Sequence, residues 1–368
     1  MVLSTQETSP DTVFDATHAA EADRTGQLSL EVARGLGKAG FAAWFVPEAF
    51  GGREGSYEEL MDEVTALAGT CTSTAWLASL LAFGGRYASC LPRSAQEDIW
   101  REGPDAFLVT VIKPQGRVVP TEGGFQLSGE WTYVSGVEFS DWAMLMGPGG
   151  PPNPEVPVRL FLVPRADYSI EMTWDSLGMR ATGSHTLTLD KVFVPAERTA
   201  LRDDVMAGRG PEVTPGRQAP NVAVNGITFV APALGAAKAA LAEGRRSLRA
   251  PVTGPRAFAT APYLVEYGRA AAEWETAEFF LRRIARSADE GGLTPALVAR
   301  NRRDATYALE SLVNVVDRCL RISGTRGQSR DEPAQRLWRD VHSIASHAVM
   351  QFEPAATDYT KLELESAL

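Results

Sequence analysis

"LGMRATGSHTLTLDKVFVP", residues 177–195, passes from turn chemistry into a strand, and its second half decides the class of fold. Leu187 and Leu189 alternate with Thr186, Thr188 and Asp190, the period of two expected of a half-buried strand. Such a strand needs partners, and the sequence supplies them upstream. Residues 106–112 (AFLVTVI), 124–136 (GFQLSGEWTYVSG), 141–147 (DWAMLMG) and 158–165 (VRLFLVPR) are short runs rich in Val, Thr, Phe and Leu, punctuated by Gly and Pro. Together they predict a compact antiparallel domain over 106–205.

On both sides of this block the period changes to about 3.6. Residues 28–41, 56–83 and 93–103 read as helices, with the turn-forming PEAFGGREG (47–55) between the first two, so that 1–105 is an N-terminal helical domain. After the linker AGRGPEVTPGRQAP (207–220), four long helical patterns begin near Asn221, Ala257, Thr294 and Pro333, which predicts a four-helix bundle within 206–368. Helices, then strands, then a bundle is an α+β order, not the βαβ alternation of a dinucleotide-binding protein. The GxGxxG match at Gly35–Gly40 lacks a preceding strand, so its glycines are read as the end of a helix.

Bulk properties narrow the function. The 368 residues are 44% hydrophobic and 22% charged, too many for one small core and ordinary for a globular protein. A net charge of −10 speaks against general nucleic-acid binding. No apolar run of membrane-spanning length and no secretion signal stand out, which gives the expectation of a cytoplasmic protein without membrane contact. The three cysteines are scattered, with no metal-ligand spacing, so neither a disulfide framework nor a metal site is expected.

The candidate chemistry lies near the C-terminus, in RLWRDVHSIASHAVMQF (336–352). At 3.6 residues per turn Arg336, Asp340, Ser343 and His347 share a narrow polar stripe beside an apolar one of Leu337, Val341, Ile344 and Ala348. Geometry leaves open whether the stripe meets solvent or an internal cavity. Likewise Trp131 and Ser135 of WTYVSG read as either a core indole and a turn hydroxyl or a ring-binding pair. RATGSH (180–185) is either a turn or a ligand loop.

Five segments in order tip this balance by resemblance: GFAAWFVPEAFGG (40–52), CTSTAWLASL (71–80), GEWTYVSGVEFSDWAML (129–145), LGMRATGSHTLTLDKVFVP (177–195) and RLWRDVHSIASH (336–347). The set resembles the acyl-CoA dehydrogenase fold, and within it the two-component flavin-dependent monooxygenases, most nearly FMN-dependent aromatic polyketide hydroxylases of actinomycetes. The resemblance implies reduced flavin between the strand domain and the bundle. Trp131 would pack on the ring, Ser135 would hydrogen-bond it, and Arg180, Thr182, Gly183 and Ser184 would form the loop beside it. Trp76 and Ser343 would wall the substrate pocket, and His347, oriented by Asp340, would act on substrate or oxygen.

The family's dehydrogenases place a catalytic Glu where Ala348 stands here, so the thioester proton has no base by that route. Their Arg-x-x-Phe-Gly adenylate segment has only RAFATAPY (256–263) as a counterpart, which favours FMN while FAD stays possible. The implied reaction takes reduced flavin from a separate NAD(P)H:flavin reductase, adds O2 to form a C4a-hydroperoxyflavin, and hydroxylates a phenol or naphthol, as in antibiotic biosynthesis. N- or S-oxygenation on the same fold, and a flavin-dependent dehydrogenase with a relocated carboxylate, are the alternatives. The family also implies a homotetramer.

Overall fold

The computed structural model describes residues 14–148, 157–211, 213, 218–249 and 260–366. The N-terminal helices are α1 Ala16–Thr25, α2 Leu30–Lys38, α3 Tyr57–Ala68, α4 Thr72–Ala88 and α5 Arg93–Ile99. The Gly35–Gly40 motif is what helix chemistry predicts: Ser29 caps α2 by accepting from the Val32 amide, and Gly40, at φ 81°, turns the chain away beyond its end.

Eight strands follow, β1 Leu108–Val111, β2 Arg117–Thr121, β3 Gly124–Val134, β4 Trp142–Gly147, β5 Arg159–Pro164, β6 Ser169–Glu171, β7 His185–Pro195 and β8 Thr199–Leu201. They form two four-stranded sheets, ordered β1-β4-β5-β8 and β2-β3-β7-β6. All pairs are antiparallel except β1 with β4, a departure from the purely antiparallel expectation. The first sheet is covered on both faces. Val109, Val111, Ala143, Leu145, Phe161 and Val163 meet the second sheet, while Leu108, Met144, Met146, Leu160 and Leu162 meet the helices. That explains why its strands read as continuous apolar runs. The β7 alternation holds at Leu187 and Leu189 and breaks at Lys191, which sits at φ 53° in a bulge.

After α6, Arg202–Ala207, come α7 Asn221–Arg249, α8 Thr260–Glu290, α9 Pro295–Ser323 and α10 Pro333–Ala345. Thr294 caps α9 by accepting from the Leu297 amide, with Pro295 in the first turn. A further helix, α11 Phe352–Ser366, closes the described chain and was not expected. Arg256 and Phe258 of the adenylate-like stretch lie outside the described residues.

Among the described residues α7 is long and apolar enough to cross a membrane, contrary to the expectation of no such run. However, 78% of that window is buried inside the fold, so α7 is its central helix. Its small residues permit close approach: a Cβ on Gly235 would collide with the Thr65 carbonyl of α3, and one on Gly226 with Ala305 of α9.

Candidate active site

The β3 end sets the site. Trp131 pairs with Leu187 of β7, the register then slips before Val134, and Tyr133 adopts φ 62°. The slip buries Val134, turns the Tyr133 ring outward at 72% exposure and leaves Ser135 facing α4. Gly136, at φ 73°, begins the turn, and its amide donates to the Thr182 carbonyl at 2.8 Å. One hydrogen bond thus locks the end of β3 to the loop that enters β7.

Above Ser135 stand three rings from three distant segments. Trp76 of α4 and Phe229 of α7 have centroids 5.4 Å apart, and His347 stacks on Phe229 at 4.4 Å with 28° between planes. The Trp76–His347 separation is 6.1 Å. Below them runs a row of hydroxyls. The Trp76 indole nitrogen donates to Ser135 Oγ at 3.1 Å, Ser135 Oγ lies 2.8 Å from Ser184 Oγ, and Ser184 Oγ lies 2.7 Å from Thr182 Oγ1. Thr182 in turn donates to the Met179 carbonyl at 3.0 Å.

His347 is half-buried, and burial holds its pKa below the ordinary histidine value. It does not continue the polar stripe of α10. That helix stops at Ala345, and His347 lies beyond it at ψ 129°, capping the short turn Ala348–Met350. Its Nδ1 accepts from the Val349 amide at 3.4 Å, so the neutral ring keeps its proton on Nε2. In this state it offers an N–H donor, not a base.

Asp340 is not at the reacting surface. It is buried on α10 and accepts the Met179 amide at 2.6 Å, fastening the loop that carries Thr182 and Ser184. Burial pushes its carboxyl up to about 6, against the Met179 hydrogen bond and the Arg339 and Arg336 charges, with Asp23 adding to the rise. Its distance in role from His347 corrects the reading of Asp340 as that residue's orienting partner. Ser343 is half-buried on the same helix, where its carbonyl receives the Ser346 hydroxyl at 2.7 Å. No hydrogen bond joins the Ser343 hydroxyl to the ring cluster among the described residues.

Arg180 sits at the loop's outer side, and Gly183 is buried within it. Arg180 donates to the carbonyls of Asp23 and Ser176, at 2.8 and 2.9 Å. With Trp174, Met172, Gly26 and His185 it lines a cavity of about 220 Å3. Gly183, at φ 53°, brings the backbone so close to Glu138 that a Cβ would press on its carboxylate. His185 accepts the Trp174 amide on Nδ1 at 3.0 Å and turns Nε2 toward Glu138, 3.5 Å away.

Trp131 requires a correction. It is fully buried between the two sheets and donates to the Met146 carbonyl at 3.0 Å, so neither indole face is open to a ring. Tyr133, two residues on, takes the outward position, edge-on to Trp174 at 6.3 Å. Thr182, 1% exposed, also stands behind the surface and reaches it only through Ser184. Sequence reasoning missed Phe229 and Tyr133. The first is one apolar residue in an apolar helix, and the second was signalled only by its two-residue spacing from Ser135.

This arrangement brings two aromatic rings and an imidazole against a row of hydroxyls, with no charged side chain among them. Residues 11–87 match the acyl-CoA dehydrogenase N-terminal domain, and residues 227–352 the acyl-CoA dehydrogenase C-terminal domain. The chain is 30% identical over 345 residues to the flavin-dependent monooxygenase oxygenase subunit HsaA of Mycobacterium tuberculosis, covering 89% of this chain and 87% of that one. It is 31% identical over 368 residues to the oxygenase component of the FADH(2)-dependent resorcinol hydroxylase of Rhizobium sp., covering 93% and 88%. The crystal structure of 3-HSA hydroxylase from Rhodococcus sp. RHA1 superposes with a TM-score of 0.90 at 26% identity, over 97% of this chain and 94% of that one.

Proposed function

Because this chain belongs to the oxygenase components of two-component flavin-dependent monooxygenases built on the acyl-CoA dehydrogenase fold, we propose that it hydroxylates a small aromatic substrate, a phenol or naphthol, at the Trp76–Ser135–His347 cluster. The observation that carries this reading is the composition of the cluster. It holds two aromatic rings, an imidazole and a hydroxyl row, with no carboxylate among them. Desaturation of a thioester needs a base at the substrate carbon, and the residue in that place, Ala348, cannot accept a proton. Oxygen transfer needs no such base, but it does need a dry pocket with few, fixed donors.

Reduced flavin, when bound, supplies the activation of O2; the chain supplies the rest. Ser135 hydrogen-bonds the ring, with Ser184 behind it and Tyr133 beside it. Trp76 and Phe229 wall the aromatic substrate and exclude water. The His347 Nε2–H orients the oxygen or the phenol hydroxyl by donating a hydrogen bond. Arg180 and Gly183 shape the loop at the outer cavity. The absence of any dinucleotide motif other than the helical Gly35–Gly40 accords with reduced FMN, or FAD, arriving from a separate NAD(P)H:flavin reductase. The three free, buried cysteines suit a cytoplasmic site of action.

The test supplies photoreduced FMN or FAD, O2 and a panel of phenols, amines and sulfides without any reductase. A phenolic product one oxygen heavier is the expected result. Oxygen found only on amine or sulfide substrates would replace the reading with N- or S-oxygenation. We further infer a homotetramer, supported by apolar side chains left open on the bundle, Leu264, Val265, Phe279 and Tyr307. Light scattering at micromolar concentration is expected to give four chains, and a monomer would overturn it.

A further inference from the structure

The hydroxyl row has fixed ends. The Trp76 indole nitrogen can only donate, and the Met179 carbonyl can only accept. Between them stand Ser135, Ser184 and Thr182, each with one proton, at successive separations of 3.1, 2.8, 2.7 and 3.0 Å. Only one ordering makes all four bonds: Trp76 donates to Ser135, Ser135 to Ser184, Ser184 to Thr182, and Thr182 to Met179. Ser135 has then spent its proton inward and one lone pair on Trp76. What it has left for a ligand is a single lone pair. If Ser135 instead donates to a ligand, the row loses one bond: Ser135–Ser184 when that hydroxyl alone turns, or Thr182–Met179 when every hydroxyl turns around.

We propose that Thr182 and Ser184 are positioning residues that make the site select reduced over oxidised flavin, by holding the Ser135 hydroxyl as an acceptor. The proposal rests on the reading above that Ser135 hydrogen-bonds the flavin ring, and takes that contact to fall on the central-ring nitrogen. Reduced flavin carries a hydrogen on that nitrogen and can donate to Ser135. Oxidised flavin has a bare lone pair there, which faces another lone pair unless Ser135 gives up its bond to Ser184 in order to donate. Thr182 never touches the ligand; it is buried behind Ser184 and acts through the proton order alone.

The experiment measures dissociation constants of oxidised FMN and of photoreduced FMN under argon, from tryptophan fluorescence, for the wild type and for Thr182→Val and Thr182→Ser. The wild type is expected to favour reduced FMN. Thr182→Val removes the hydroxyl at nearly constant volume, frees Ser184 to donate to Ser135, and should lower the reduced-to-oxidised preference roughly five- to tenfold, the worth of one hydrogen bond. Thr182→Ser keeps the hydroxyl and should keep the preference. If Thr182→Val fails to fold, Ser184→Ala breaks the same row and should move the ratio the same way. Equal weakening of both redox states, or an unchanged ratio, overturns the proposal and leaves Thr182 a structural residue. A wild type that binds both states equally also overturns it while leaving the flavin site standing. A wild type that binds neither state removes the site, and the proposal with it.

Discussion

Asp340 of α10 accepts the Met179 amide at 2.6 Å, and with the Arg339 bond to the Leu177 carbonyl it ties the C-terminal bundle to the loop that carries Thr182 and Ser184. A buried carboxylate is a costly anchor. The Asp340 carboxyl titrates at about 6 in the folded protein against 3.8 for the free group. Between those values the folded protein holds more protons than the unfolded chain. The contribution of Asp340 is therefore fully present below the lower value and is lost as pH rises through about 6. Asp340→Asn keeps an oxygen for the Met179 amide and removes the titration. Its stability is expected to pull ahead of the wild type's from pH 4 to 7, by on the order of 3 kcal/mol at neutrality, seen as a widening gap between the thermal midpoints. Parallel midpoint curves for the two proteins would show that Asp340 does not titrate in this window.

Gly178 is the second hold on the same loop. A Cβ there would run into the Arg339 carbonyl and the Asp340 amide of α10. Overpacking of this kind costs about 1–3 kcal/mol. Gly178→Ala is expected to lower the melting temperature and, because the loop must shift, to weaken reduced-flavin binding as well. Loss of stability with full flavin affinity would mean that the loop's position does not matter to the site.

Much of this was legible in the sequence, and the gaps have physical causes. The helix starts at Asn221, Thr294 and Pro333 followed from the 3.6-residue apolar period, and the strand block followed from short β-rich runs between Gly and Pro. Trp131 was misplaced because alternation is blind to a bulge: one slip in register before Val134 sends Tyr133 out and leaves Trp131 in the core. His347 was set on a helix because nothing in "SIASHAV" forces a stop, neither Gly nor Pro, and α10 nevertheless ends at Ala345. Asp340 was set beside His347 by resemblance, but what it meets is the Met179 backbone. A partner 161 residues away leaves no local trace.

Ser135→Ala tests the hydroxyl at the head of the row. It removes the acceptor for the Trp76 N–H and the donor to Ser184, as well as any bond to the ring. Reduced-flavin affinity is expected to fall about five- to tenfold, with the thermal midpoint little changed because Ser135 is only half-buried. Titration of anaerobic protein with photoreduced FMN reads the first quantity and a thermal melt the second. Unchanged affinity would return Ser135 to the role of a turn residue.

The last prediction separates two roles for His347. Stacked on Phe229, with Nδ1 accepting from Val349, the neutral ring carries its proton on Nε2. Burial holds its pKa below the ordinary 6.5, so this neutral form persists above that pH. His347→Ala should leave the fold and flavin binding nearly intact, lower product formation and raise hydrogen peroxide release per reduced flavin. The size of the loss discriminates. A general base contributes roughly 100- to 10,000-fold, whereas a donor that only orients contributes about tenfold. The tautomer argues for the smaller figure. His347→Gln supplies the second arm, since an amide N–H can donate but cannot act as a base. Recovery of product yield in His347→Gln relative to His347→Ala, at saturating substrate, is expected. If both variants lose product equally and by more than about a hundredfold, His347 serves as a base after all, and the proton assigned to Nε2 must sit on Nδ1 when substrate is bound.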